Sequence, residues 1–210
     1  MSLPSDPWFH AGRRDYYLKH AGGDLRRADE LCRWDRVLRR AVFADVEELH
    51  HGITAAYAEA FAKRWQGPGH WLGADGPLQT AATIDLNTRN RQEIAEAVDR
   101  AGGPHAAEYD VLVKLSLGVW NVMTSKGREQ DLWVPYVRHA YPRGARRSAV
   151  HELVSDLRGV RNRVCHHESL LRFSLRDHRR LVDLCGLVMP GHCVAFEAQS
   201  RVAQVLGRRP

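Results

Sequence analysis

The sequence predicts an all-α protein, a single helical bundle, on three observations. Leu31, Trp34, Leu38, Val42, Val46, Leu49, Ile53, Tyr57 and Phe61 recur at steps of three and four residues, the period of one buried helix face. The segment "EYDVLVKLSLGVWNVMTS" (108–125) is apolar on nearly every side, as suits a helix in a bundle centre. No stretch alternates convincingly as a strand, and no repeat with a period of about 20–50 residues is present.

Residues 1–24 read as an N-terminal extension and 25–210 as one domain. Asp24 is a plausible N-cap for a long helix, or two nearly collinear ones, over about 25–65. "QGPGHWLGADGP" (66–77) is rich in Gly and Pro and reads as a loop. A polar helix follows from about Thr88 to Asp99, ended by "AGGP", and then the apolar helix of 108–125. "SKGREQD" is a loop, and the two prolines of "LWVPYVRHAYPRG" restrict that stretch to short turns. A further long helix is expected from about Ala145 through "RNRVCHHE" (161–168), with shorter ones near 175–188 and 191–206.

At 210 residues and 44% hydrophobic content, the chain can bury one substantial core. No run approaches the roughly 18–20 uninterrupted apolar residues of a membrane helix. The first residues, "MSLPSDPWFHAGRR", lack an apolar signal region, so a cytoplasmic protein without a membrane partner is expected. Cys32, Cys165, Cys185 and Cys193 form no CxxC pair, which fits reduced structural thiols, Cys165 among them as a packing residue. No cofactor is expected.

Charge is concentrated. Residues 143–180 hold ten arginines against four acids, so this stretch carries the whole formal net charge of +6. Such a region is the footprint of a polyanion partner, although a solvated helix face would look similar. Only four of the 31 basic residues are lysine, which fits an arginine-biased composition equally well.

Within that stretch "RNRVCHHE" admits three readings. A metal site is disfavoured, because adjacent His166 and His167 point about 100° apart on a helix and the i, i+4 spacing of HExxH sites is absent. His50 and His51 form another adjacent pair with the same defect. Phosphate chemistry suits the residue types better. Arginine is a permanently charged fork for phosphate oxygens, and histidine moves protons near neutral pH. Together they suffice for RNA cleavage: one group takes the 2′-hydroxyl proton, another protonates the leaving 5′-oxygen, and a cation stabilises the transition state. DNA lacks the internal nucleophile. One histidine serves poorly as base and acid in one turnover, so a two-fold dimer bringing two copies of the motif together would supply both.

Arg158, Asn162 and His166 fall at i, i+4, i+8 and line one helix face. Arg161 lies five residues before His166, roughly 140° away on an ideal helix. The helix unwinds near Val164, the arginine reaches round, or the contacts are made across a dimer. The third reading makes Arg161 and Asn162 braces between helices and the histidines ordinary surface groups.

"LRGVRNRVCHHESLL" (157–171) resembles the signature of bacterial Abi-like (abortive infection) proteins of the HEPN superfamily, whose hallmark is R-x(4–6)-H. Arg161-Asn162-Arg163-Val164-Cys165-His166 fits R-N-x-x-x-H. "ADELCRWDRVLRRAVFADVEELHHGI" (28–53) and "LSLGVWNVMTSKGREQDLWVPYVRHAYP" (115–142) are similar to the family's first half and middle, so the resemblance covers about residues 25–172. It implies a HEPN-type helical bundle acting as a metal-independent endoribonuclease in phage defence or a toxin–antitoxin pair. Arg161 and His166 would be the catalytic pair, with Asn162 as polar supporter, and a homodimer through the motif helices would build the composite site. Arg158, Arg163, His167 and Arg172 are the expected RNA-binding residues, with no metal ligands. RNA is the expected partner, with an antitoxin or non-coding RNA as a possible inhibitor.

Two positions depart from the family pattern. Leu49-His50-His51-Gly52 stands where the family has an arginine-asparagine pair, which leaves a role there unsupported. Glu168 stands where some of these toxins carry the tyrosine that their antitoxins modify, so that control does not carry over. Glu168 is expected to pair with Arg172 at i, i+4 on the helix surface. The competing function is a non-catalytic RNA-binding or protein-interaction module, using the basic 143–180 stretch.

Overall fold

A computed structural model describes residues 10–80 and 84–210; the first nine residues of the segment read as an extension lie outside them. Its described residues form an all-α bundle, with no strand among them.

Helix α1 (Ala11–His20) belongs to the bundle, because Tyr17 is fully buried against the next helix. Gly22 and Gly23, both at positive φ, turn the chain into α2, which is one continuous helix, Leu25–Arg64. Asp24 caps it as expected, accepting from the N–H groups of Arg26 and Arg27. The whole 31–61 stripe is buried, so this helix is the spine of the core. Gly52 has a packing reason: a Cβ there would lie 2.2 Å from Met189 Sδ.

The glycine-rich 66–76 stretch is irregular but pinned, since Trp71 stacks on Phe61 at 4.7 Å between ring centroids. Short α3 (Pro77–Thr80) and then α4 (Ile84–Arg100) follow. The segment 108–125 differs from expectation. It forms two short helices, α5 (Glu108–Leu112) and α6 (Leu117–Met123). Ser116 restarts the helix by accepting from Gly118 N–H, and its own N–H is taken by Glu93 of α4 at 2.8 Å. Tyr109 and Val113 are exposed, so this segment is not buried on all sides.

Short turns cover 126–140, including one π turn at Glu129–Trp133, as the prolines require. Helix α7 (Arg147–Cys165) buries Val150, Val154, Leu157, Val160 and Val164. Its sequel, α8 (Leu175–Val188), opens on a Ser174/Asp177 capping box. The last expected helix is split at Ser200 into α9 (Cys193–Gln199) and α10 (Val202–Leu206). Ser200 donates to Asp45 Oδ2 at 2.7 Å and lies 3.0 Å from His178 Nε2. One imidazole nitrogen meets both the serine and the aspartate, so this Ser-His-Asp set ties helices together and lacks the relay geometry of a hydrolase. No described helix is long and apolar enough to cross a membrane.

Candidate functional site

The stripe that buries one face of α7 turns the other outward, and Arg158, Asn162 and His166 lie on that outer face. All three, with Arg161, line one cavity of about 750 Å³. The helix is regular through Cys165, so unwinding does not bring Arg161 round. Its guanidinium swings over the face and donates to Asn162 Oδ1 at 3.3 Å. His166 is the C-cap, still close to helical geometry at φ −85° and ψ 8°, which keeps it in register with Arg158 and Asn162.

The opposite wall comes from α4 and the 114–118 linker, and supplies Glu93, Glu96, Arg100 and Lys114. None of these was singled out in the sequence. The three α4 residues lie on one face, at i, i+3 and i+7, but only the tertiary fold sets that face against the motif. Glu93 is engaged at Ser116. No ion pair within 4 Å neutralises Arg100, Lys114, Arg158 or Arg161 among the described residues, so the cavity keeps exposed cationic groups. Arg158 is held by buried Asn121, whose Oδ1 accepts from it at 3.2 Å while its Nδ2 donates to Ser155.

His167 parts from His166. It adopts φ 57°, and the N–H groups of His167 and Glu168 donate to the carbonyls of Val164 and Arg163, closing a Schellman stop. His167 and Arg163 line a different, smaller recess beside Tyr16 and Tyr17. Arg163 donates to the Ser169 carbonyl at 2.7 Å, which braces the turn after the motif. Arg172 is exposed and lines neither cavity. The expected Glu168–Arg172 pair is absent among the described residues, because the helix ends before both and i, i+4 spacing has no meaning in the following turn. Cys165 is exposed rather than packed, since it lies off the buried stripe.

Behind the motif, half-buried His50 of α2 has its Nε2 shielded from solvent and without a hydrogen-bond partner. Burial lowers its pKa, and His51 and Arg161 lower it further by like charge. A neutral imidazole therefore backs the arginine. Among the described residues, no group of three or more His, Cys, Asp or Glu side chains is placed to hold a metal ion. No protein-family model, curated protein or solved structure matches the chain.

Proposed function

We propose that the chain is a metal-independent endoribonuclease of the HEPN type, acting in abortive infection or as the toxin of a toxin–antitoxin pair. The observation that carries this reading is the single cavity in which Arg158, Arg161, Asn162 and His166 meet with their cationic groups unneutralised. An anionic phosphodiester is the complementary ligand, since guanidinium groups bind phosphate oxygens as a planar fork. In the reaction the 2′-oxygen attacks the adjacent phosphorus and the P–O5′ bond breaks. Arg161, oriented by Asn162, stabilises the developing charge, Arg158 holds a neighbouring phosphate, and His166 transfers a proton. The resemblance of 25–172 to Abi-like proteins supports the biological setting, a homodimer through the motif helices, and control by an antitoxin or non-coding RNA.

Product chemistry tests this reading. Purified protein in EDTA should convert a mixed-sequence RNA into fragments with 2′,3′-cyclic phosphate and 5′-hydroxyl ends. An otherwise identical oligonucleotide with 2′-deoxyribose throughout should stay intact. Cutting of the deoxy substrate, or 5′-phosphate ends, would contradict the mechanism.

A further inference from the structure

We propose that Glu96 is the general base of this site, so that one chain carries both proton-transfer groups. The inference rests on the nuclease reading and deepens it. RNA cleavage by 2′-hydroxyl attack needs a proton acceptor and a proton donor, and α7 offers one histidine to the cavity. Buried Ile94 and Ala97 fix the rotation of α4 and turn Glu93, Glu96 and Arg100 to the cavity wall. Glu93 is committed to the Ser116 N–H. Glu96 is exposed, and its carboxylate makes no hydrogen bond or ion pair among the described residues; only its backbone carbonyl is used, by Arg100.

A carboxylate in a phosphate-binding cavity repels its ligand unless it does something for the reaction. Here it faces Arg158, Arg161 and His166 from α7, with Arg100 and Lys114 beside it and Glu93 one turn away. In the step, the 2′-hydroxyl proton passes to Glu96 as the 2′-oxygen bonds to phosphorus. The P–O5′ bond breaks as the His166 imidazolium gives its proton to the leaving 5′-oxygen. The products are a 2′,3′-cyclic phosphate and a 5′-hydroxyl, and both side chains then exchange protons with water.

The test is the pH–rate profile of the full chain on a mixed-sequence RNA oligonucleotide, with wild type, Glu96→Gln, Glu96→His and His166→Ala. A carboxylate base puts the acid limb in the carboxylate range, near about 4, and two imidazoles would put both limbs near about 6.5. Glu96→Gln should lower kcat by about 100-fold or more with the melting temperature unchanged, and should remove the acid limb. Glu96→His should recover part of kcat with the acid limb moved up by about two pH units. If wild type cleaves and His166→Ala does not, while Glu96→Gln keeps its kcat and only its KM falls, the nuclease reading stands and the Glu96 assignment falls. If wild type does not cleave, the nuclease reading fails and takes this proposal with it.

Discussion

Leu170 donates its backbone N–H to Asp35 Oδ1 at 2.6 Å, joining the turn after the motif to the first third of the long spine helix. Tyr17 donates to the other oxygen at 2.6 Å, and Arg39 Nε lies 3.2 Å from it. The carboxylate is wholly buried, and the Tyr17 phenol is pushed up to about 12 by burial and by this negative neighbour. Three parts of the chain therefore converge on one ion. Removing it leaves the Arg39 charge and the Leu170 N–H without their partner.

Asp35→Ala should cost about 3 kcal/mol or more in a denaturant titration, the usual penalty for breaking a buried charge pair. Cleavage should fall as well, because residues 169–170 anchor the end of the helix carrying His166. A loss below about 1 kcal/mol would show that the turn is held by something else.

The two histidines should separate cleanly. His167 occupies a left-handed conformation that a side chain resists and glycine accepts. His167→Gly should therefore raise stability by about 1 kcal/mol, a few degrees in Tm, with cleavage unchanged. Lost cleavage in a folded, stabilised His167→Gly protein would place His167 in the chemistry after all.

Arg158 and Arg163, five residues apart on the same helix, should behave differently. Arg158→Ala should reduce the slope of log affinity against log salt for single-stranded RNA by about 0.7, one phosphate contact. Arg163→Ala should leave that slope alone and lower stability by about 1–2 kcal/mol, because its guanidinium serves the Ser169 carbonyl. Equal slopes for Arg158→Ala and wild type would remove Arg158 from the binding surface.

His50 gives the fold a pH dependence with a definite sign. Its pKa is lowered in the folded state, so below about 6.5 the unfolded chain binds the proton more readily. Stability is unaffected above that pH and should decline as pH falls from about 6.5 towards the lowered folded value. His50→Gln should flatten this part of the stability–pH curve. An unchanged curve would mean that His50 is not the group responsible.

The parts of the fold set by local rules were legible in the sequence. The period of Leu31 to Phe61 and the Asp24 cap define the spine helix, and the prolines around residue 135 limit that stretch to turns. What was not legible depends on tertiary partners. The break at Ser116 needs Glu93, 23 residues away, to take its N–H. The end of the motif helix at Cys165 carries no glycine to announce it, because a histidine fills the left-handed position. The face shared by Arg158, Asn162 and His166 follows from spacing, but the direction Arg161 takes does not. Glu96 and Lys114 could not be found from sequence, since nothing in a polar helix or a short linker tells which cavity it will border.

In the proposed mechanism His166 turns over RNA rather than merely holding it. The most direct measurement is the single-turnover cleavage rate in EDTA of wild type and His166→Ala, set beside their equilibrium affinity for the same RNA. His166→Ala should lose about 100-fold or more in rate with affinity changed by no more than about twofold. Equal rates for the two proteins would contradict that mechanism.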